Sequence, residues 1–385
     1  MKKKFNLRIA PTLIIVLIAV LGLGILGCKQ VIGGETDLGQ PESPPQTGLE
    51  NQPGSETETR NSAELSIHFL ELGNQYTGDS IYISYGDIDI LVDAGSRRSS
   101  SATIRKYIDN YIQDNKLEYI IVTHAHQDHI DGFTETNKLT GILPGYEIGI
   151  IIEFPLTNST TATYSNYKNA ISAAEKRGAV RYTALQCYNN QDGARREYEL
   201  GDGIKLEILY NYYYDHVQSG GENNYSVCFR IVQDGNQYLF TGDLEKDGED
   251  RLVDYYAKNF GGLGHCVLYK AGHHGSVTSS NTKLMAAITP EYVFVTACVG
   301  TSEYTTVNST QFPSQDFINR TAPYTDKVYA TTYAGNYPNF ESFNGNIVFS
   351  VSENGNFIVN CSNNNLILKE TEWFKNNRTM PSAWK

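Results

Sequence analysis

The sequence predicts an α/β fold made of two similar halves, each of which opens with strands and passes into helices. Two observations support this class. Short apolar runs bounded by turn residues recur along the chain and alternate with stretches of helical spacing. Hydrophobic residues form 40% of the 385 residues, enough for a large core, whereas six cysteines are too few for a disulfide scaffold. The length fits one large domain or two small ones.

The N-terminus is predicted to be a lipoprotein signal peptide over residues 1–27. Basic residues precede an apolar run over residues 12–26, which is the order that secretory signals show. The run ends in the letters ILGC, at Cys28, and this ending resembles a bacterial lipobox with a lipid on the cysteine sulfur. An uncleaved membrane anchor is the alternative. In both cases we expect the rest of the chain at the extracellular face of the membrane, lipid-anchored or secreted.

Residues 28–63 are predicted to form a disordered linker, because they are rich in Pro, Gly, Glu and Thr and lack an apolar period. Residues 1–27 carry four bases and no acid, and residues 28–63 carry two bases and six acids. Since the whole chain carries −12, residues 64–385 also carry −12. This negative charge on residues 64–385 disfavours nucleic acid as a partner. We expect one domain at residues 64–365 and a C-terminal tail at residues 366–385.

In the first half, strands are followed by helices. The strand at 119–122 has the letters YIIV, apolar enough for burial on both faces, and it leads into a loop that begins near His124. The predicted strands of this half lie at residues 65–70, 80–84, 88–92 and 119–122, and the predicted helices lie at residues 102–114 and 164–177.

The second half repeats this order. The turn residues at 234–236 have the letters DGN and predict a hairpin between two of its strands. The predicted strands lie at residues 205–209, 226–232, 237–240, 266–269, 292–296, 327–331, 345–351 and 356–361, and the predicted helices lie at residues 246–258 and 281–288.

Three of the eight histidines fall within six residues, in the stretch HAHQDH that follows the strand at 119–122. In an extended turn His124 and His126 point the same way, and Asp128 and His129 lie at the next bend. Three imidazoles and a carboxylate around one small volume suit Zn²⁺ or a similar divalent ion. This stretch therefore predicts a metal site.

Further polar side chains stand at the ends of other predicted strands. Asp93 follows the strand at 88–92, Asp243 comes shortly after residues 237–240, and the pair His273 and His274 follows the strand at 266–269. A single aspartate after a strand is usually a turn former. Because these residues accompany the histidine cluster, we expect one site built from strand ends of both halves.

The order of these motifs, LVDAG, HAHQDH, TGD and HHGS, resembles the metallo-β-lactamase superfamily. The stretches ENNYS, TGDLE and KAGHHGS further resemble the hydrolase domain of ComEC-type competence proteins and its free-standing lipoprotein relatives. The resemblance extends from about residue 64 to residue 361. It implies a four-layer αββα sandwich with a binuclear metal site at the strand ends.

The resemblance also implies roles for individual residues. His274, or alternatively His273, would complete the ligands of the second ion, and the other histidine would face the substrate as a donor or general acid. Asp93 would orient a ligand loop through hydrogen bonds. Two divalent ions are implied, with Zn²⁺ favoured and Mn²⁺ as the alternative. The remaining implied ligands are His124 and His126 for the first ion, Asp128 and His129 for the second ion, and Asp243 as the bridge.

The sequence departs from the family pattern at two places. Superfamily members usually offer a further histidine before the strand that leads to TGD, and here Glu222 or Asn223 stands there, with His216 nearby. Glu222 is therefore a candidate ligand. Competence-type domains carry Tyr-Gly-His-Pro after HHGS, whereas this chain has Phe312 at the position of the histidine.

The implied activity is hydrolysis by a metal-activated water, with Asp128 and Asp243 orienting the water and His273 acting as a donor. We expect a surface-anchored esterase or phosphodiesterase that acts on a small-molecule or cell-wall-polymer phosphoester. An extracellular DNA-degrading nuclease of the competence type is the first alternative. A non-catalytic binding protein on a decayed hydrolase fold is the second.

Overall fold

The computed structural model describes most of the chain that follows the predicted linker. The predicted signal peptide and linker, residues 1–27 and 28–63, lie outside the described residues. Within the described part, no helix is both long and apolar enough for a membrane span. The described ranges are residues 64–218, 221–334, 340–352 and 354–385.

Sixteen strands form within these ranges, and most of them are rich in the β-branched and aromatic residues that pack well on a pleated surface. In chain order they are β1 (Ser66–Phe69), β2 (Ile81–Tyr85), β3 (Ile88–Val92), β4 (Lys116–Val122), β5 (Glu147–Glu153), β6 (Val180–Thr183), β7 (Glu197–Gly201), β8 (Ile204–Ile208), β9 (Phe229–Gln233), β10 (Asn236–Phe240), β11 (Leu268–Lys270), β12 (Tyr292–Val299), β13 (Val328–Ala334), β14 (Phe340–Ser342), β15 (Ile347–Val351) and β16 (Phe357–Cys361).

Polar residues at the helix starts set where several helices begin. The side chains of Thr161, Asn281 and Ser314 accept hydrogen bonds from backbone N–H groups of the first turn. The α-helices of the described residues are α1 (Ser100–Ile108), α2 (Gln127–Ile130), α3 (Ile142–Gly145), α4 (Ala162–Lys176), α5 (Ala184–Asn189), α6 (Lys246–Phe260), α7 (Thr282–Ile288), α8 (Gln315–Thr321) and α9 (Glu372–Asn377).

The strands form two eight-stranded sheets with similar organisation. The first sheet has the order β16-β15-β1-β2-β3-β4-β5-β6, and the second has the order β14-β13-β12-β11-β10-β9-β8-β7. Both sheets combine antiparallel pairs with a parallel run, β3 to β6 in the first and β10 to β13 in the second. Parallel neighbours require crossover connections, and helices α1, α4, α6, α7 and α8 lie in them. The last two strands return to the first sheet beside β1.

The two sheets pack face to face. Phe69 of the first sheet stacks on Phe294 of the second with ring centroids 4.4 Å apart. The neighbours Val293 and Val295 point to the opposite side of β12, where they join the core formed with α6, α7 and α8. Helices α1, α4 and α5 contribute to the core of the first sheet. The result is the four-layer αββα sandwich, and the predicted fold class is confirmed.

Most predicted elements form, with small shifts at their ends. The predicted helix at 102–114 is shorter and lies at Ser100–Ile108. The strands β5, β6, β7 and β14 and the helices α2, α3, α5, α8 and α9 have no counterpart among the predictions. In β5, Gly149 interrupts the apolar run, and a Cβ atom there would lie 2.6 Å from the carbonyl oxygen of Glu118. Close approach to β4 therefore explains the glycine.

The segment predicted as a C-terminal tail packs on the second sheet. Trp384 is buried in its core. The guanidinium of Arg378 donates to the carbonyl of Pro313 at 3.0 Å, so this segment holds the loop that carries Phe312. Residues 366–385 are thus part of the domain, and the expected boundary after residue 365 is corrected.

Candidate metal centre

Polar side chains of four loops meet at one edge of the sandwich. Asp93 directly follows β3, the segment from His124 to His129 follows β4, Asp243 follows β10, and His274 follows β11. The carboxyl ends of parallel strands lie at the same edge of a sheet, so the topology brings these residues together. The structure therefore places the predicted strand-end residues of both halves in one cluster.

Four side chains form the centre of this cluster. Asp128, His129, Asp243 and His274 each offer one ligand atom, and these atoms all lie within 4.8 Å of one another. His274 Nε2 lies 3.4 Å from a carboxylate oxygen of both Asp128 and Asp243, and His129 Nε2 lies 3.2 Å from Asp243 Oδ2. All four side chains are buried.

The chemistry of this donor set fits a divalent metal ion. Two imidazoles and two carboxylates are ligands that Zn²⁺ and Mn²⁺ accept. Among the described residues, His274 Nε2 is buried without a hydrogen-bond partner. A buried polar atom without a partner is costly unless a ligand satisfies it. We call these four residues the tetrad.

His124 and His126 lie beside the tetrad. His124 Nε2 is 3.0 Å from His126 Nδ1 and 3.9 Å from Asp243 Oδ2. His124 is fully buried and His126 is half-buried. The two imidazoles therefore form a pair beside the tetrad, and His124 also lies near Asp243.

Asp93 fixes the orientation of His129. Its Oδ2 accepts hydrogen bonds from His129 Nδ1 at 2.7 Å and from the hydroxyl of Thr123 at 2.6 Å. Its Oδ1 accepts from the backbone N–H of Thr123 at 2.8 Å. A proton held at Nδ1 leaves His129 Nε2 as the ligand atom, which is the usual arrangement of metal-binding histidines.

The buried charges shift one another's pKa. Burial alone would raise the pKa of Asp243, but the imidazoles of His129 and His274 outweigh it and hold that pKa well below its usual range. Burial would lower the pKa of both histidines, yet Asp243 and the neighbouring carboxylates raise it. Burial, followed by the charge of His129, lowers the pKa of His124. The cluster is therefore anionic at its carboxylates, as a cation site requires.

The two histidines of HHGS occupy different places. Both have left-handed backbone angles, φ +46° at His273 and φ +55° at His274, which is uncommon outside glycine. His274 enters the tetrad. His273 lies at the rim with 18% of its side chain exposed, and its Nε2 is 3.8 Å from Asp243 Oδ2. Of the two alternatives, the structure therefore brings His274 to the ligand position.

Glu222 does not lie in the tetrad, and its role as a ligand of the first ion stays a prediction. Its Oε1 accepts from the hydroxyl of Thr157 at 2.7 Å and from the N–H of Ala125 at 3.3 Å, and its Oε2 accepts from the N–H of Asn158 at 2.7 Å. These donors occupy both oxygens, so Glu222 joins two loops. His216 is exposed at the surface and does not reach the cluster either.

Sequence reasoning missed three side chains of the site. Tyr304 donates from its hydroxyl to Asp128 Oδ2 at 2.8 Å and is half-exposed. Its ring lies 5.4 Å from that of Phe312, and Phe312 packs against both His273 and His274. The other two are Asp79 and Lys270, which form a buried ion pair behind the tetrad. A signal was present for Lys270, because a lysine at the end of an apolar strand run is unusual.

Several known proteins are similar to this chain over part of its length. The metallo-β-lactamase superfamily model matches residues 73–152. Competence protein ComA of Neisseria gonorrhoeae is 26% identical over 260 residues, which cover 67% of this chain and 30% of that protein. Exodeoxyribonuclease YycJ of Bacillus anthracis is 34% identical over 68 residues, which cover 18% of this chain and 25% of that protein. The chain thus spans about 30% of the length of the competence relative.

A search of solved structures found a partial structural similarity. The metallo-β-lactamase fold protein YhfI from Bacillus subtilis aligns over 70% of this chain and 96% of its own, at 11% identity and a TM-score of 0.40. The family match over residues 73–152 and the two packed sheets with helices on their outer faces define the class of fold, which is the metallo-β-lactamase fold. Within that class its sequence is similar to competence proteins, and the predicted resemblance is confirmed.

Proposed function

We propose that this protein is a metal-dependent hydrolase of phosphoester bonds, with phosphodiesters as its main substrates. The observation that carries the proposal is the buried tetrad of Asp128, His129, Asp243 and His274 at strand ends of both sheets. Zn²⁺ is the favoured ion and Mn²⁺ the alternative, because the ligands mix imidazole and carboxylate. His124 and His126 would hold a second ion that shares Asp243.

The surrounding residues prepare the ligands. Divalent ions bound here would supply Lewis acidity and lower the pKa of a bound water. The carbonyl oxygen of Thr296 accepts from His274 Nδ1 at 2.8 Å, so His274 Nε2 remains the ligand atom. Asp243 Oδ2 is approached by His124, His129 and His274, which suits a carboxylate shared between two ions. Two adjacent ions suit in-line displacement at phosphorus.

Two side chains are placed to contact the substrate. His273 is partly exposed next to Asp243 and can donate to a substrate oxygen, the role expected for the histidine of the pair that does not bind the ion. The hydroxyl of Tyr304 stands at the same opening. Phe312 supplies an apolar wall behind both groups. The site therefore offers hydrogen-bond donors above the tetrad, and the buried ring of Phe312 supports them from behind.

A DNA nuclease is the second candidate, and two observations favour it. The first is the similarity to an exodeoxyribonuclease over 68 residues. The second is a groove of about 560 Å³ beside the site, whose lining includes Lys246, Lys283 and Arg320 together with Asp250, which pairs with Lys246. It also contains Thr278, whose hydroxyl lies 3.1 Å from His273 Nδ1. The charge of −12 on residues 64–385 opposes this candidate.

A purified sample of the full chain tests the proposal. Bound metal per chain is measured together with hydrolysis of bis-p-nitrophenyl phosphate, p-nitrophenyl phosphorylcholine and end-labelled single- and double-stranded DNA. We expect metal to be retained, both esters to be hydrolysed, and both properties to be lost in Asp243→Ala. His216→Ala is the matched control, since His216 is exposed and outside the tetrad.

Other outcomes would change the assignment. Faster degradation of DNA than of either ester would favour the nuclease. Absence of turnover with added Zn²⁺ or Mn²⁺ would favour a binding protein on a decayed hydrolase fold. The completeness of the tetrad opposes this last alternative, because a binding module has no need of four converging metal ligands.

We also propose that the N-terminus anchors the protein to the membrane by a lipid on Cys28, close to cell-wall polymers that carry phosphoesters. The sequence support is the signal-like segment at residues 1–27. Cys28→Ala should lower the amount of the protein that is found in the membrane fraction. An unchanged distribution would contradict the lipid anchor without affecting the proposed chemistry.

A further inference from the structure

Asp79 and Lys270 form a buried ion pair directly behind the tetrad. Both side chains are about 1% exposed, and the ammonium of Lys270 contacts Asp79 Oδ2. Burying two charges costs more free energy than their attraction usually returns, so such a pair is a poor device for stability alone. Its position next to the ligands points to a role in the site.

Asp79 contacts His274 on the side of the ring that faces away from the tetrad. Asp79 Oδ1 lies 3.1 Å from His274 Nδ1 and accepts a hydrogen bond from the hydroxyl of Thr296. The carbonyl oxygen of Thr296 lies 2.8 Å from the same Nδ1. Asp79 and Thr296 thus hold Nδ1 between them, and Nε2 is turned toward Asp128 and Asp243.

The backbone of Asp79 also supports the site. Its N–H donates to the carbonyl oxygen of Asp128 at 3.1 Å, and its own carbonyl oxygen accepts from the N–H of Gly95 at 2.7 Å. Asp79 therefore fixes the loop after β4 and the loop after β3 as well as the ring of His274. Asp79, which lies shortly before β2, thus connects three of the loops that build the tetrad.

Lys270 gives the two oxygens of Asp243 different surroundings. Its Nζ is 3.7 Å from Asp243 Oδ1. The other oxygen, Oδ2, faces His129 at 3.2 Å and His274 at 3.4 Å. The ammonium of Lys270 near Oδ1 and the two imidazoles near Oδ2 favour a single orientation of the Asp243 carboxylate. Oδ2 is then the oxygen that faces the ligand cluster.

We propose that Asp79 and Lys270 are positioning residues that together orient His274 and Asp243 for metal binding. This inference rests on the metal site of the proposed function. Partners of this kind, which contact ligands rather than the ion, usually change metal affinity by roughly 10–100-fold when they are replaced.

The first test measures Zn²⁺ affinity of the full chain by competition with a chromophoric chelator. Asp79→Asn keeps the shape of the side chain but removes its charge, and we expect roughly 10–100-fold weaker binding. The double variant Asp79→Asn with Lys270→Met removes both charges and restores the net charge of the wild type. If the pair positions the ligands, the double variant regains thermal stability over Asp79→Asn but still binds Zn²⁺ more weakly than the wild type.

Two controls separate positioning from a general effect of buried charge. Glu207→Gln alters another buried carboxylate, which pairs with Arg196 and Arg230 away from the site, and should leave Zn²⁺ affinity unchanged. The visible absorption of bound Co²⁺ reports ligand geometry, and we expect it to differ between the wild type and both variants. A merely structural pair would leave this absorption unchanged.

Several results would overturn the inference. Wild-type Zn²⁺ affinity in Asp79→Asn, or full recovery of affinity in the double variant, would show that the pair does not position the ligands. If these variants do not fold, Thr296→Val removes the hydroxyl donor to Asp79 and keeps the backbone carbonyl. Unchanged affinity in Thr296→Val would then overturn the inference. A wild type that binds no metal would instead refute the proposed function.

Discussion

Replacing Asp93 by asparagine would reverse the hydrogen bond that prepares His129. Asp93 Oδ2 accepts from His129 Nδ1 at 2.7 Å, and Oδ1 accepts from the N–H of Thr123 at 2.8 Å. In Asp93→Asn the amide oxygen keeps the N–H of Thr123, so the amide NH₂ faces His129 Nδ1. Two donors cannot pair. His129 must then carry its proton on Nε2, the atom that points to Asp243.

The size of the effect follows from the bond that is lost. A hydrogen bond to a charged group contributes about 1.5–3 kcal/mol, and 1.4 kcal/mol is a factor of ten in a binding constant. We therefore expect Zn²⁺ binding to weaken by roughly 10–100-fold, the range typical of such partners. Asparagine tolerates the φ of +54° at position 93 as aspartate does, so the backbone can stay as it is.

Competition for Zn²⁺ with a chromophoric chelator at constant pH measures this change. Asp131→Asn is the matched control, because Asp131 is a buried acid near the same ligand loop but contacts Arg98 and Gln127 instead of a histidine. The control should bind Zn²⁺ like the wild type. If Asp93→Asn also binds Zn²⁺ as tightly as the wild type, the reasoning about the proton on His129 is refuted.

Three further predictions concern other parts of the site. Glu222→Ala should lower the free energy of unfolding by about 1–3 kcal/mol, because three donors lose their acceptor, and should leave the amount of tightly bound Zn²⁺ unchanged. Denaturant unfolding measures the first effect and metal analysis the second. A loss of bound metal would show that Glu222 is a ligand. Asp243 raises the pKa of His129 and His274, so Zn²⁺ binding at neutral pH should release protons from these histidines and should weaken as the pH falls. Calorimetry in buffers of different ionisation enthalpy measures the proton release. A heat of binding that does not depend on the buffer would contradict this prediction. Tyr304→Phe removes a hydroxyl near the substrate position and should lower kcat by roughly 3–10-fold, which is the effect of one hydrogen bond. The melting temperature of the protein should not change. An unchanged kcat on bis-p-nitrophenyl phosphate would show that the hydroxyl takes no part in the reaction.

The residues of the tetrad could be predicted because each follows a recognisable strand or stands in a dense histidine motif. Their convergence follows from topology alone, since parallel strands end at one edge. Asp79 could not be found in this way, because it precedes β2 instead of following a strand. An aspartate between Gly78 and Ser80 has the appearance of an ordinary turn residue.

The contacts of Glu222 could not be predicted for a different reason. Its position in the sequence matches the place of a ligand, but its surroundings depend on a loop more than sixty residues earlier in the chain, at Thr157 and Asn158. A single sequence shows no sign of such a long-range contact. The same limit applies to the C-terminal segment, whose Trp384 and Arg378 find their partners only in the folded domain.

The two sheets each supply part of the tetrad, and this has a consequence for folding. His129 and Asp243 are 114 residues apart and meet only after both sheets have packed, so the unfolded chain offers no comparable site. An ion that binds the native state alone shifts the unfolding equilibrium, by about 2.7 kcal/mol at a concentration of 100 times its Kd. The fraction of unfolded chains would therefore follow the supply of the ion in the surroundings. When the metal is scarce, the protein would lose its activity and would also unfold more often, which exposes it to proteolysis. The amount of the protein and its activity would therefore decline together.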